Sequence, residues 1–409
     1  MTGACRGCGQ PLTRTFVDLG MSPLANSLVP LDRAGASETT YPLRAYVCDN
    51  CCLVQLGEFE PPEHIFSADY VYYSSFTESW VAHAQQYASD MSARFNLDEH
   101  SLVCEVGSND GYLLQHFVKM GIPVVGVDPA ANCAAAAKGI GVPTEVLFFG
   151  AETAAHLVRK HGHADLMVAN NVVAHVPNVH NFVAGFRTML KPQGVLTFEF
   201  PHLLKLIAFK QFDTIYHEHF SYFALATARF VMERQGLRIF DVNELTTHGG
   251  SLRIFVCHSD ARHDENPAVA RVLAEEQAAG LADPSCYDHF APSIVAIKDA
   301  TLEFLIAARR EGRRVAGYGA PAKGNTFLNY CGVGIDHFAF TVDSNPVKQN
   351  TLLPGTRIPV LAVEAIEQQK PDYVFILPWN LRDEIAERMK VIRAWGGKFV
   401  TGIPSLEVF

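Results

Sequence analysis

The pattern of apolar and polar positions changes character twice along the 409-residue chain. Up to about residue 66, apolar runs such as Thr15-Phe-Val-Asp-Leu19 and Tyr46-Val-Cys48 are short and separated by turn residues. They are too few to form a core without a staple. Trp80, Ala84 and Tyr87 then recur at helical spacing. From Ser101 the chain alternates buried strands with helical segments. Leu102–Val106, Val124–Asp128, Leu166–Asn170 and Val195–Phe200 read as strands, and Tyr112–Met120 as a helix. This alternation predicts a mostly parallel sheet covered on both faces. A second α/β unit follows, with strands at Arg314–Tyr318, His337–Val342, Tyr373–Leu377 and Lys398–Thr401. An Ala- and Glu-rich helical stretch from about Pro267 to Arg310 joins the two, and no tandem repeat of fixed period is visible.

A chain of this length exceeds what one core serves, so two or three domains are expected. Hydrophobic residues at 48% and charged residues at 19% fit a folded globular protein. The net charge of −10 lacks the basic surface with which nucleic-acid binders displace counterions. No apolar run reaches the ~20 residues of a membrane-spanning helix, and the start lacks the apolar core of a signal peptide. These features predict a cytoplasmic protein with neither nucleic acid nor membrane as partner, as a monomer or small homo-oligomer.

Four of the ten cysteines form two Cys-x-x-Cys pairs, Cys5/Cys8 and Cys48/Cys51. Each pair brings two thiolates to one tetrahedral ion, and two pairs close a four-sulfur shell with no open position for a catalytic water. The spacing predicts a structural Zn2+ whose binding stabilises a segment poor in core. Cys52 is an alternative to Cys51, which alone preserves the two-residue spacer.

Between the first strand and helix of the α/β region lies Glu105-Val-Gly-Ser-Asn-Asp-Gly111. Gly107 and Gly111 permit tight turns and close backbone approach to a ligand. The spacing differs from the three-glycine dinucleotide fingerprint. Further on, Tyr216-His-Glu-His219 crowds ionisable and phenolic groups between apolar residues, which is costly to bury without purpose.

The glycine loop resembles motif I of class I S-adenosylmethionine (SAM)-dependent methyltransferases. Taken with the cysteine pairs, Tyr72-Tyr-Ser-Ser75, His175 before Val-Pro, Tyr216-x-Glu-His-Phe220, His248-Gly-Gly250, Gly317-Tyr-Gly-Ala-x-Ala-Lys323 and Asp343-x-x-Pro-x-Lys-Gln-Asn350, nearly the whole chain is similar to the nucleotide-sugar C-3'-methyltransferases of deoxysugar biosynthesis. Two positions depart: Asp128 stands where Glu is frequent, and His217 where Asp occurs. The resemblance implies a Rossmann-like methyltransferase domain over 67–245, a zinc-binding module over 1–66 and a second Rossmann-like α/β domain over 246–409. It implies SAM held by Glu105, Gly107, Ser108, Asn109, Gly111, Asp128 (through the ribose hydroxyls), Asn170 and Asn171.

The same resemblance implies methylation of carbon beside the ketone of a nucleotide-linked 4-keto-deoxysugar. His219 is then the expected base, since imidazole titrates near ~6.5. Glu218 tunes an imidazole, while Tyr72, His175 and Tyr216 donate to the enolate oxygen. Lys323 and Lys348 are expected on the pyrophosphate, with His248 and Asn350 also toward substrate. Two enzyme alternatives stand beside this reading. One is methyl transfer to another small keto metabolite. The other is an NAD-dependent oxidoreductase, because Gly317-Tyr-Gly319 and Asp343 partly mimic a dinucleotide site.

Overall fold

In the computed structural model, residues 3–61 and 73–409 are described. They form two compact units that share the chain repeatedly. The first comprises 3–12, 48–204 and 220–283; the second comprises 13–47, 205–219 and 284–409. The segment read as one N-terminal module is thus divided. Its cysteines belong to the first unit, while β1 (Arg14–Ser22), β2 (Val29–Pro30) and β3 (Tyr41–Val47) belong to the second. β4 (Val54–Leu56) returns to the first unit and pairs there with β10 (Ser221–Tyr222).

The first unit holds a seven-stranded sheet. Helix α1 (Glu78–Phe95) precedes β5 (Val103–Val106), α2 (Leu114–Lys119), β6 (Val124–Val127), α3 (Ala131–Gly139) and β7 (Thr144–Glu145). Then follow α4 (Ala151–His161), β8 (Ala164–Asn170), α5 (Val179–Met189) and β9 (Leu190–Pro201). An antiparallel pair, β11 (Leu237–Leu245) and β12 (Ser251–His258), completes the order β11-β12-β9-β8-β5-β6-β7. β5 to β9 run parallel. Because β6 and β7 lie on one side of β5 and β8 and β9 on the other, the topology reverses at the carboxyl end of β5, where open α/β sheets bind ligands.

Local sequence explains how this sheet is covered. In α1 the buried Ala84, Tyr87, Ala88 and Met91 follow the i, i+3, i+4, i+7 rhythm of one helix face. Asn96 ends the helix in the left-handed conformation, φ 50°, as a C-terminal cap requires. β9 shows the two-residue period: Phe198 packs with Phe182 and Phe186 of α5, while Thr197 meets the Tyr87 hydroxyl at 2.6 Å. Fully burying a side chain the size of Phe contributes about 1.5–3 kcal/mol.

The second unit is built on an eight-stranded sheet. Its parallel strands are β13 (Val315–Tyr318), β14 (Phe338–Val342), β16 (Pro359–Leu361), β17 (Tyr373–Ile376) and β18 (Lys398–Thr401). β15 (Thr351–Leu352) and β2 extend one edge antiparallel, and β19 (Glu407–Val408) closes the other. Its core gathers Ala316, Phe340, Ile376, Ile385 and Phe399. Each strand expected from the apolar runs is present in one of the two sheets, and among the described residues no helix is long and apolar enough to cross a membrane.

Candidate active site and zinc clamp

The sulfurs of Cys5, Cys8, Cys48 and Cys51 all lie within 4.8 Å of one another. Cys52 turns away into a left-handed conformation, φ 58°, with its N–H on the Cys48 carbonyl. Gln55 donates to Cys5 Sγ at 3.1 Å while its own oxygen accepts the Arg6 N–H, so a second layer orients the knuckle. Four thiols this close cannot all ionise alone. The neighbouring Cys5 and burial drive Cys51 far above the ordinary thiol range, and a divalent cation among the sulfurs relieves that conflict. The donor set fits structural zinc.

The glycine loop runs from β5 toward α2 at the switch point. Gly107 and Gly111 have φ of 71° and 81°, and a Cβ on Gly107 would meet Val172 Cγ2 at 2.4 Å. Asn109 shares the left-handed conformation and its N–H donates to Asp128 Oδ2 at 2.8 Å. The other Asp128 oxygen accepts the Ala130 N–H, which leaves lone pairs on both for vicinal hydroxyls. Burial raises the Asp128 pKa against the pull of these two donors. Glu105 is fully buried, and burial lifts its pKa well above the carboxylate range despite a nearby Tyr112 phenol.

Ser74 and Ser75 dock on this loop by N–H donation to Asn109 Oδ1 and Asp110 Oδ2. Tyr72 lies outside the described residues. Asn170 ends β8, and Asn171 follows at φ 56° with its N–H on the Glu199 carbonyl at 2.7 Å. The buried Ser108 Oγ, Asp110 Oδ1 and Asn170 Oδ1 have no protein hydrogen-bond partner, which suits a polar ligand against this rim. The residues present fit an adenosyl cofactor. His175 closes a short turn after Asn171, its N–H on the Val172 carbonyl.

The second unit carries the Tyr216–His219 pair. His219 Nδ1 lies 2.8 Å from the Thr214 carbonyl, so it carries the proton and Nε2 is the basic nitrogen. Tyr216 Oη donates to that Nε2 at 2.8 Å. Glu218 accepts from Asn26 Nδ2 at 2.7 Å, and burial pushes its pKa up to about 7. His217 instead faces the Pro42 carbonyl and the Tyr41 ring, a packing role.

In the same unit Lys323 reaches Asn380 Oδ1 and lies over the Trp379 ring. Trp379 in turn donates to buried Asp213, which burial pushes up to about 6. Lys348 donates to the Ala320 carbonyl, 3.8 Å from Asp343. Asp343 accepts the Ala320 and Asn345 N–H groups, so it shapes the loop after β13. Asn350 sits at φ 58° with its N–H on Val360. His248 belongs to the first unit, its Nε2 3.4 Å from Asn171 Nδ2.

Sequence reasoning passes over Asp213, Trp379 and, in the first unit, the buried pair Glu199 and Arg253 with the half-buried His83 against it. Glu199 is fully buried, and Arg253 Nε donates to it at 2.6 Å. The visible signal was a glutamate inside the apolar run Val195–Phe200.

A glycine cradle at a switch point, with a carboxylate after the next strand and a four-thiolate clamp ahead, defines a zinc-stapled class I methyltransferase. The comparisons with known proteins agree with that class. Family models match as "Putative zinc binding domain" over 5–66, "Methyltransferase domain" over 80–242 and "C-methyltransferase C-terminal domain" over 246–404. C-methyltransferase NovU of Streptomyces niveus is 37% identical over 99% of this chain and 96% of its own. The chain belongs to this C-methyltransferase family with an N-terminal zinc-binding domain, and is a SAM-dependent enzyme. A ubiquinone biosynthesis O-methyltransferase of Rhodopseudomonas palustris is 30% identical over 22% of this chain and 36% of its own. A solved SAM-dependent methyltransferase from Anabaena variabilis covers 50% of this chain and 99% of its own, at 16% identity and a TM-score of 0.38.

Proposed function

We propose that the enzyme methylates a carbon beside the ketone of a nucleotide-linked 4-keto-6-deoxysugar, with His219 as the base. The observation that supports this most is the imidazole's polarity. Thr214 holds the proton on Nδ1, which directs the lone pair of Nε2 outward to Tyr216. Proton removal from carbon leaves an enolate on the sugar, and the proton passes to Nε2, directly or through the Tyr216 hydroxyl. SAM, when bound, supplies an electrophilic methyl group and leaves as S-adenosylhomocysteine. The new carbon–carbon bond consumes the enolate's electron pair, and the imidazolium returns its proton to solvent. In this reading His175, Tyr216 and Tyr72 are the hydrogen-bond donors for the enolate oxygen, and Glu218, whose pKa burial pushes up to about 7, tunes the segment.

Lys323 and Lys348 supply positive charge to the pyrophosphate at the loop before helix α6 (Ala322–Cys331), together with its first N–H groups. His248 and Asn350 complete the substrate contacts. The three domains in this reading are 1–66, 67–245 and 246–409, with zinc confined to a structural role. Incubation with [methyl-13C]SAM and thymidine- or guanosine-diphosphate-linked 4-keto-6-deoxysugars tests it. The expected product carries a 13C-methyl bonded to carbon in one sugar series. Unmethylated sugar from both series would overturn the substrate class.

A further inference from the structure

The buried ionic group of the first unit has a direction as well as a composition. Glu199 pairs in register with Asn170 on β8 and with Arg253 on β12, so it stands at the carboxyl rim of the sheet. Burying a carboxylate completely is costly even when paired, and an apolar side chain would hold the sheet about as well. Burial alone would raise its pKa, yet the His83 hydrogen bond and the Arg253 charge more than offset this and keep it ionised. A charge maintained there at such cost has something to hold.

Two arms leave this residue and meet again. Through the backbone, the Glu199 carbonyl accepts the Asn171 N–H at 2.7 Å. Through the side chain, its two oxygens lie 3.2 and 3.1 Å from His83 Nε2. His83 stacks on Trp80 at 4.9 Å and 17°, and Trp80 packs against the His248 ring at 5.2 Å. His248 Nε2 lies 3.4 Å from the Asn171 amide. His248, Gly249 and Gly250 all have positive φ, at 53°, 86° and 114°. Hydrogen bonds from Gly250 N–H and Ser251 Oγ to the Thr247 carbonyl shape the turn's backbone, while Trp80 packs against the His248 ring from the side. Gly107 of the cofactor loop abuts Val172, next to Asn171.

We infer that Glu199 is a positioning residue, which through His83 and Trp80 holds His248 against Asn171 beside the cofactor loop. The inference rests on reading this rim as the methyl-transfer end of the cofactor site. Removing this support loosens His248 without removing any group that binds the adenosyl moiety. Misplacement of a positioning group by about 1 Å costs up to ~100-fold in rate.

Glu199→Gln would strand the buried Arg253, so the test uses the outer links in the full zinc-loaded chain: His83→Ala, His83→Gln, Trp80→Ala and Trp80→Phe. Methyl transfer to the sugar series above, S-adenosylhomocysteine affinity by calorimetry and the 15N resonances of His248 (assigned with His248→Asn) are the readouts. The alanine variants should lose roughly tenfold or more in kcat while S-adenosylhomocysteine affinity stays within about threefold. The His248 resonances should shift toward those of a free imidazole, and Gln and Phe should restore both signals. An unmoved His248 resonance in both alanine variants overturns the inference. Loss of affinity and thermal stability in all four variants, without rescue, overturns it as well and marks a purely structural cluster. If the wild type methylates neither sugar, the substrate reading fails, while the His248 resonance still decides the positioning role.

Discussion

At the scale of single residues, the proton chemistry turns on which atoms face which. Tyr216→Phe removes the hydroxyl on His219 Nε2 but leaves the Thr214 contact that sets the tautomer. The expected result is a fall in kcat of roughly 10- to 100-fold with S-adenosylhomocysteine binding unchanged, measured by single-turnover methyl transfer. Glu218 yields a pH prediction. Its pKa rises from an ordinary 4.5 to about 7 on burial, so the folded chain holds a proton that the unfolded chain releases. Folding stability from this group is therefore full below about 4.5 and declines as pH climbs toward about 7. Thermal melts across that window should show wild type losing ground to Glu218→Gln, and parallel curves would refute the shift. Cysteine pairs and glycine spacing were legible in sequence because both are local patterns. The Glu199 group was not, since its partners come from positions 83 and 253.

At the scale of elements, the cofactor loop depends on backbone shapes that only glycine adopts easily. Gly107→Ala meets both a left-handed φ of 71° and the Val172 side chain. It should cost about 1–3 kcal/mol of stability and weaken S-adenosylhomocysteine binding by at least roughly tenfold, read by melting and calorimetry. Strands were the most legible elements, because apolar runs such as Val124–Val127 are buried on both faces and bounded by turn residues. The helix expected over Tyr112–Met120 contracts to Leu114–Lys119, as the loop through Gly111 continues into it. The hairpin of β11 and β12 was not anticipated: Leu237–Leu245 and Ser251–His258 are joined across the His248-Gly-Gly turn. The hairpin itself closes locally, but its place in the sheet is set by the pairing of β12 with β9, some 50 residues earlier, which periodicity does not encode.

At the scale of the whole molecule, the zinc clamp has a topological task. Its cysteines flank the 13–47 excursion, with Cys5 and Cys8 just before the chain leaves the first unit and Cys48 and Cys51 where it returns. Holding both ends at one ion removes the closure entropy of that long loop. Chelation of zinc, or Cys5→Ser with Cys8→Ser, should lower the melting temperature and speed hydrogen exchange in β1, β3 and β4. Unchanged exchange there would deny the clamp this task. The division of residues 1–66 between two units was invisible in sequence, because β2 joins the sheet of the second unit by pairing with residues 351 and 352.

The central chemical claim is that His219 takes a proton from a sugar carbon. It is tested most directly by following deuterium uptake from D2O into the nucleotide-linked 4-keto-6-deoxysugar with S-adenosylhomocysteine bound. Wild type should exchange the hydrogen beside the ketone, and His219→Asn should bind both ligands yet exchange none. Exchange at the wild-type rate in His219→Asn would contradict the account.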